Sequence, residues 1–429
     1  MFSCQKCDSQ YPKWTGRCTS CGAWGTIAEE DGAQAPSLRS SKSGKKAKAA
    51  PVLDLGSAAE KPIAQNPTGL SEVDRVLGGG IVPGSVTLLA GEPGIGKSTL
   101  VAMLCGALAK NGANAYYASG EESEGQVRLR FKRLSIDPAK IAFSNAVDAE
   151  AIIAAAESIS PTLLVVDSIQ TLFVEAADAL PGTPNAVRAA TSTLIGYAKR
   201  TGVPVLIIGQ VTKDGNVAGP KTLEHLVDTV LTLEGDPASP YRLLRAAKHR
   251  FGSTEEVGVF EMTEAGLMAV DNPSSRFLSE RSQSAGSAIA CVMEGNRPFL
   301  VEVQALVDRS FLPAPIRRTS GYDASRLQLI LAILSKRAGV RLGDQDVYIN
   351  VVGGLKVSEN GADLAIAAAL LSAHNDKQLP ADSVYIGELG LGGEIRSVPF
   401  IDRRIKEAER LGMKTIHTPK TVRNIGELK

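Results

Sequence analysis

Residues 91–99 read Gly91-Glu92-Pro93-Gly94-Ile95-Gly96-Lys97-Ser98-Thr99 and form a complete GxxxxGK[ST] phosphate-binding loop. An apolar run, residues 85–90, precedes the loop, and residues 99–110 follow it with few helix breakers. In this strand–loop–helix context the glycines let consecutive backbone N–H groups face the phosphates of a nucleotide. Lys97 supplies a cation for the β- and γ-phosphate oxygens, and the Ser98 hydroxyl is placed to ligate Mg²⁺. We therefore predict that all nine residues of the loop bind ATP.

The composition is that of an ordinary globular protein with two or three domains: 429 residues, 44% hydrophobic and 22% charged. The formal net charge is only +1, so affinity for nucleic acid must come from local basic patches. No apolar run approaches the roughly 20 residues that a membrane-spanning helix needs, and the N-terminus has no signal-peptide core. We therefore expect a cytoplasmic location.

Four of the six cysteines lie within the first 21 residues, in two CxxC pairs. Two such pairs can direct four thiolates at one tetrahedral Zn²⁺, and the ten-residue spacer between them suits a compact zinc ribbon. Two disulfides are the alternative, which a cytoplasmic ATPase disfavours. The other two cysteines, Cys105 and Cys291, are predicted to be inert core thiols because they lie in apolar segments. The predicted zinc ligands are Cys4, Cys7, Cys18 and Cys21.

The rest of the chain divides by composition. A zinc ribbon over residues 1–27 is followed by a Ser-, Ala-, Gly- and Lys-rich linker over 28–66, whose lysines are either solvated or in contact with nucleic acid. Residues 67–270 alternate apolar runs with helical patterns and predict an α/β domain with a mainly parallel sheet. Residues 271–429 are predicted to form a separate α+β domain. The predicted strands are 113–119, 162–167, 203–209, 286–307 and 347–353, and the predicted helices are 185–200, 327–334 and 362–372.

Polar residues follow three of the predicted strands. Asp167 matches the acidic residue that holds Mg²⁺ through water, although a turn-starting aspartate would look the same. Glu121 is the best-placed carboxylate to position an attacking water and Glu122 the second, with an acidic helix start as the alternative for both. Gln210 is placed to sense the γ-phosphate, or simply ends its strand. Ligands of open α/β sheets lie beyond the carboxyl ends of the strands, so we expect these side chains to cluster there.

The motifs also carry a family resemblance. The phosphate loop, Ser-Gly-Glu-Glu-Ser over 119–123, Leu-Val-Val-Asp-Ser over 164–168 and Ile-Ile-Gly-Gln-Val-Thr-Lys-Asp-Gly over 207–215 occur in the order of the RecA-type ATPase core. With the cysteine ribbon and the pentapeptide Lys248-His249-Arg250-Phe251-Gly252, essentially the whole chain resembles the RadA (Sms) family of bacterial DNA repair proteins. The family signature has Asn where His249 stands, a difference that keeps both cations.

The resemblance implies that the pentapeptide serves a DNA-dependent function and that subunits form rings. Lys248 and Arg250 alternate along the extended segment 243–251 and so share one face, where a neighbouring subunit's γ-phosphate or a DNA phosphate is within reach. A solvated basic strand edge is the alternative. The polar, glycine-rich segment 211–221, which includes Lys213, resembles the mobile DNA-binding loop of RecA-type proteins, with an ordinary surface loop as the alternative.

The C-terminal domain resembles the Lon protease domain. The resemblance places the nucleophilic serine at Gly361 or Ala362 and the basic lysine at Asp402, and none of these can do that chemistry. We therefore predict a non-proteolytic scaffold for assembly and DNA binding. Four arginines are predicted to line a DNA path, with solvated surface charge as the alternative: Arg309, Arg317, Arg318 and Arg326.

These features favour a DNA-dependent ATPase that remodels or branch-migrates intermediates of homologous recombination and DNA repair. The implied fold is a RecA-like ATPase core with a zinc ribbon and a Lon-protease-like domain, and the implied cofactors are ATP, Mg²⁺ and Zn²⁺. The implied partners are single-stranded and branched DNA, a RecA-type recombinase and further copies of the chain in a hexameric ring. The alternatives are a Lon-type ATP-dependent protease and an ATP-binding switch with little turnover. The residues predicted to carry the ATP chemistry are Lys97, Glu121, Asp167, Gln210, Lys248 and Arg250.

Overall fold

The computed structural model describes residues 2–4, 10–11, 13–19, 22–29, 64–177, 179–210, 220–235, 239–278, 281, 283–353 and 356–428. The chain divides into two compact units, Met1–Lys61 and Pro62–Lys429. No helix in these ranges is long and apolar enough to span a membrane.

The first unit contains an antiparallel sheet of three short strands, β1 (Phe2–Cys4), β2 (Gln10–Tyr11) and β3 (Ile27–Glu29), with β1 in the centre. Cys18 is buried, and a tight turn follows it in which its carbonyl accepts from the N–H of Gly22 at 2.9 Å. Of the other predicted zinc ligands, Cys7 and Cys21 lie outside the described residues, and only the backbone of Cys4 is described.

The second unit begins with a nine-stranded sheet flanked by helices. The strands are β4 (Val86–Gly91), β5 (Ala115–Ser119), β6 (Ile141–Ser144), β7 (Leu163–Asp167), β8 (Val205–Gln210), β9 (Thr229–Glu234), β10 (Tyr241–His249), β11 (Val257–Thr263) and β12 (Gly266–Ala269). Their order across the sheet is β12, β11, β10, β9, β4, β8, β7, β5, β6. Strands β4 to β9 pair in parallel, and β9 to β12 form an antiparallel extension. The helices are α1 (Ser71–Val76), α2 (Lys97–Lys110), α3 (Glu124–Arg133), α4 (Ala149–Ile159), α5 (Pro184–Thr201) and α6 (Pro220–Leu223).

The central strands read as near-continuous apolar runs because both faces of the sheet are covered. Every residue of β7 is buried, with alternate side chains in the core beneath α1, α2 and α3 and in the core beneath α4 and α5. Helix α5 begins at the N-cap Thr183 and ends at Gly202, whose φ of +78° favours glycine. The predicted strands 113–119, 162–167 and 203–209 and the predicted helix 185–200 are confirmed to within two residues.

A six-stranded sheet follows, in the order β15, β16, β14, β13, β17, β20, with a two-stranded ribbon of β18 and β19 beside it. The strands are β13 (Ser287–Glu294), β14 (Arg297–Arg309), β15 (Arg317–Ser320), β16 (Gln345–Val351), β17 (Ser383–Tyr385), β18 (Glu388–Leu389), β19 (Ile395–Arg396) and β20 (Thr415–His417). The helices are α7 (Pro273–Leu278), α8 (Ala324–Ile333), α9 (Asp363–Asn375) and α10 (Ile401–Arg410). Helix α9 is buried along almost its whole length, as the centre of this core.

The prediction of one strand over residues 286–307 is wrong, because the segment is a hairpin. Strands β13 and β14 pair antiparallel, with Glu294 opposite Arg297, and Gly295 takes a φ of +59° in the two-residue turn. A Gly-Asn pair between two apolar runs is a known hairpin signal that the sequence reading passed over.

The hairpin turn contacts the nine-stranded sheet and its helix α1 through charged groups. Arg297 donates to the fully buried carboxylate of Glu72 in α1 at 2.6 Å, and the same oxygen accepts from the N–H of Val259 at 2.8 Å. Arg245 of β10 pairs with Glu294 at the other side of the turn. These contacts link the two sheets, and loss of Arg297 would leave the fully buried Glu72 carboxylate without its charged partner in this hairpin, a change that typically costs about 3–5 kcal/mol.

Both core cysteines are confirmed as inert. Cys105 in α2 and Cys291 in β13 are fully buried, and burial raises the pKa of each thiol to about 12. A thiol with so high a pKa is not a nucleophile at neutral pH.

Candidate nucleotide-binding site

The phosphate loop connects the end of β4 to the start of α2. Gly96 is the N-cap of α2 at a φ of +113°, and a Cβ atom there would lie 2.8 Å from the Met262 side chain. A Cβ atom at Gly91 would lie 2.6 Å from the Leu233 carbonyl oxygen, so the backbone must approach β9 closely. Glycine is therefore required at both positions, and the loop delivers the first N–H groups of α2 to one point, as an anion-binding site needs.

Lys97 lies at the first turn of α2 and is buried. Its ammonium group donates to the carbonyls of Gly91 and Glu92, at 2.9 Å each. Burial lowers the pKa of Lys97, while the carboxylates of Asp167 and Glu121 act in the opposite direction. The Lys97 ammonium group is therefore hydrogen-bonded to two backbone carbonyls, and the charges of two carboxylates act on it.

The structure brings three predicted site residues to one edge of the sheet, because β5, β7 and β8 are parallel neighbours that end there. Asp167 is the last residue of β7 and Gln210 the last of β8, while Glu121 lies two residues beyond β5. The amide nitrogen of Gln210 lies 3.1 and 3.2 Å from the two carboxylate oxygens of Glu121. The hydroxyl of Ser168 donates to the same carboxylate.

The two adjacent glutamates have different surroundings. Glu122 pairs with Arg130 of α3 at 2.5 Å, and its other oxygen is buried and hydrogen-bonds no side chain or backbone in the described ranges. The amide of Asn145 donates to the Glu122 carbonyl at 2.8 Å, which holds this residue's backbone to the start of the next loop. Glu122 is thus engaged with α3, and Glu121 is the glutamate that faces Gln210.

Sequence reasoning missed Tyr117, a fully buried residue of β5. Its hydroxyl donates to Oδ2 of Asp167 at 2.5 Å. Burial, together with the Asp167 carboxylate, raises the pKa of Tyr117 well above its usual value, so the phenol stays protonated and is the donor. In the sequence Tyr117 is one of two adjacent tyrosines in an otherwise mostly apolar strand. No local pattern distinguishes it from a residue that only packs in the core.

Lys248 and Arg250 contact a different part of the sheet, the segment just before β9. The ammonium of Lys248 donates to the carbonyls of Glu224 and Val227 at 2.6 and 2.8 Å, and Arg250 pairs with Asp228 at 3.0 Å. Both cations therefore contact the segment 224–228. The side chain of Arg250 is still 53% exposed, so part of its guanidinium faces solvent.

Asp228 accepts hydrogen bonds from three groups of this region. Besides Arg250, its carboxylate accepts from Lys199 at 2.9 Å and from the backbone N–H of Val86 at 3.0 Å. Burial by itself would raise the pKa of Asp228, but the hydrogen bonds from Lys199 and Val86 and the nearby positive charges lower it overall. The ring of His249 lies between Thr229 and the Leu77 carbonyl, at 3.1 and 3.2 Å. The predicted DNA-binding residues 211–219, with Lys213, lie outside the described residues, and the side chains of 220 and 221 are not described.

In the C-terminal domain one of the positions that the resemblance gives to the serine, Gly361, lies against an ion pair whose arginine is fully buried. Arg404 of α10 is fully buried and makes two contacts with the Glu359 carboxylate, at 2.6 and 2.5 Å. A Cβ atom at Gly361 would lie 2.8 Å from that guanidinium, and Asp402 lies in the first turn of α10. The guanidinium thus occupies the space into which a side chain at 361 would project.

The four arginines of the predicted DNA path are not equivalent. Arg309, Arg317 and Arg318 are exposed, the last two on the edge strand β15. Arg326 instead pairs with the buried Asp363 and donates to the Leu389 carbonyl at 3.2 Å. The Arg326 guanidinium is therefore engaged within the domain, and the other three arginines are the more exposed members of the predicted DNA path.

Known proteins resemble the chain in parts and as a whole. Family models match three segments: KaiC over residues 66–274, the rubredoxin metal binding domain over 2–29, and subunit ChlI of Mg-chelatase over 324–422. The DNA repair protein RadA of Brucella abortus is 45% identical, over 97% of this chain and 91% of the relative. The RadA proteins of Pseudomonas aeruginosa and Aquifex aeolicus are each 45% identical over 98% of this chain, and over 92% and 93% of their own lengths. Among solved structures, the RadB recombinase is similar at 23% identity and a TM-score of 0.38, over 48% of this chain and 99% of that one.

Proposed function

Because the chain belongs to the family of the DNA repair protein RadA, we propose that it is a DNA-dependent ATPase that remodels branched intermediates of recombination and repair. The ATPase assignment agrees with the match of residues 66–274 to KaiC. The observation that carries the proposal is that Asp167, Glu121 and Gln210 lie at the edge of the sheet where the phosphate loop begins, with Gln210 opposite Gly91 in neighbouring strands.

The residues at this edge fit Mg²⁺ with ATP, since the Ser98 hydroxyl and the Asp167 carboxylate are oxygen donors of the kind that Mg²⁺ prefers. Mg²⁺ would offset negative charge on the β- and γ-phosphates. Lys97 would exchange its carbonyl partners for phosphate oxygens, which are stronger acceptors because they are charged. The N–H groups at the start of α2 would bind the same phosphates.

Glu121 is proposed to orient the attacking water and accept its proton. Gln210 holds both oxygens of that carboxylate and directly precedes residues 211–221, the segment proposed to contact DNA. A conformational change in residues 211–221 would therefore alter the hydrogen bonds between Gln210 and the Glu121 carboxylate. The DNA contacts proposed for Lys248 and Arg250 rest on the exposed part of the Arg250 side chain and on the family resemblance.

We propose that the C-terminal domain is a non-proteolytic scaffold. In support, the positions that correspond to the Lon dyad hold Gly361 or Ala362 and Asp402, and a buried ion pair lies against Gly361. The rival, a Lon-type protease, predicts ATP-dependent degradation of an unfolded substrate such as casein. A hexameric ring and a RecA-type recombinase as partner follow from the resemblance alone, and light scattering would measure the ring size.

The N-terminal unit is proposed to bind one Zn²⁺ through Cys4, Cys7, Cys18 and Cys21. The match of residues 2–29 to a rubredoxin metal binding domain and the buried position of Cys18 support this ligand set. Metal analysis of protein prepared without chelator should give one zinc per chain.

The central test measures ATP turnover with and without single-stranded DNA. We expect DNA to raise turnover severalfold in the wild-type protein. Turnover that is low and unchanged by DNA would instead favour the ATP-binding switch.

A further inference from the structure

Tyr117 is held in one orientation by the aromatic residues around it. Its ring meets Phe131 edge-on, with centroids 6.0 Å apart, and lies at 25° to the ring of Phe143 at 6.4 Å. The ring therefore packs against both α3 and β6. The Tyr117 hydroxyl points at Oδ2 of Asp167 at 2.5 Å.

The neighbouring residue shows that burial alone does not require such a partner. Tyr116 lies on the opposite face of the same strand, is 2% exposed, and shares a hydrogen bond of 2.7 Å with the hydroxyl of Ser144. The Tyr116 hydroxyl therefore has a neutral serine as its partner. The Tyr117 hydroxyl instead donates to an aspartate, Asp167, that is itself only 2% exposed. A hydrogen bond to an ionised acceptor is about twice as strong as one between neutral groups.

Asp167 ends β7 at the same edge of the sheet where β4 runs into the phosphate loop, and its negative charge acts on Lys97. With Oδ2 committed to the phenol, the second oxygen stays available to a metal-bound water. The side chain also cannot rotate without breaking the bond to Tyr117. Partners of this kind, which orient a metal-binding carboxylate, typically change metal affinity or activity by 10–100-fold when they are removed.

We propose that Tyr117 is a positioning residue for magnesium, which orients Asp167 through its hydroxyl. The proposal rests on the role assigned above to Asp167. It predicts a specific defect in Tyr117→Phe, because this change removes the oxygen and keeps the ring contacts with Phe131 and Phe143. The defect is a weaker response to Mg²⁺, with nucleotide affinity in the absence of Mg²⁺ unchanged.

The experiment titrates Mg²⁺ against binding of a fluorescent, non-hydrolysable ATP analogue to the full-length chain, and separately against ATP turnover. Four proteins are compared: wild type, Tyr117→Phe, the matched control Tyr116→Phe, and Asp167→Asn. We expect the half-saturating Mg²⁺ concentration to rise about 10-fold or more in Tyr117→Phe. Tyr116→Phe, which loses the hydroxyl of a tyrosine on the same strand that is also almost fully buried, should match wild type.

The controls separate the two hypotheses. If Asp167→Asn leaves the Mg²⁺ titration unchanged, the assigned role of Asp167 fails and the inference fails with it. If Asp167→Asn shifts the titration and Tyr117→Phe does not, Tyr117 is a core residue and only the inference is overturned. Equal shifts in the two phenylalanine variants would mean a general loosening of β5 and would also overturn it. Urea unfolding of both variants checks that each is folded at the assay temperature.

Discussion

Replacing Glu121 with Gln should abolish most ATP turnover and leave nucleotide binding intact. Gln has nearly the same volume, and its side-chain oxygen can still accept from Gln210 and Ser168, the two groups that hold Glu121 now. The substitution therefore removes little except the ability to accept a proton. General-base catalysis contributes about 10²–10⁴-fold, which corresponds to about 3–5 kcal/mol of activation free energy.

The matched control is Glu122→Gln, which makes the same chemical change one residue away. Glu122 pairs with Arg130 at 2.5 Å, and the two side chains are 26% and 17% exposed. A pair of this intermediate exposure lies between the exposed class, worth up to about 1 kcal/mol, and the buried class, which costs about 3–5 kcal/mol to break. We expect a loss of about 1–3 kcal/mol in unfolding free energy and turnover within severalfold of wild type.

Single-turnover hydrolysis with saturating ATP and single-stranded DNA measures the chemical step, and urea unfolding measures stability. The reasoning is refuted if Glu122→Gln slows hydrolysis more than Glu121→Gln does. It is also refuted if Glu121→Gln keeps more than about a tenth of wild-type turnover, since loss of a general base should slow hydrolysis by at least about 10²-fold.

Lys97→Ala should lower turnover by several powers of ten because the cation that offsets phosphate charge is lost; retention of a tenth of wild-type turnover in a steady-state assay would contradict the assignment. Cys18→Ala should release zinc, detected by metal analysis, while the ATPase core keeps its urea midpoint, because the binding energy of such a site is largely the folding energy of its own unit. Lys248→Ala or Arg250→Ala should leave nucleotide binding intact and sharply reduce stimulation by DNA, and Arg250→Lys should rescue only in part, since a point charge replaces a planar fork; remodelling of branched DNA at wild-type rates would make both residues purely structural. The pKa of Asp228 is lowered in the folded state, so this carboxylate stabilises the fold above its ordinary unfolded pKa and the stabilisation is lost as the pH falls through the lowered value. The stability gap between wild type and Asp228→Asn, measured by urea unfolding, should therefore be largest near neutral pH and shrink on acidification; a gap that stays constant down to strong acid would contradict this.

The features that could be predicted before the fold was known are those that are local in the chain. The phosphate loop is contiguous, and its glycines are needed where the backbone turns or approaches β9, so nine residues are enough to identify it. Apolar runs of strand length located β5, β7 and β8 to within two residues. Because parallel strands end at one edge, those runs also predicted that Glu121, Asp167 and Gln210 meet.

Hydrogen bonds and ion pairs between residues far apart in the chain could be read only from the folded protein. Glu121 and Gln210 are 89 residues apart and Tyr117 and Asp167 are 50 apart, and no periodicity in the sequence encodes either hydrogen bond. The pairing of Glu122 with Arg130 and of Arg326 with the buried Asp363 is likewise seen only in the fold. The physical reason is that a charge or a hydroxyl acts over a few ångströms in space, and packing alone determines which distant residues come within that range.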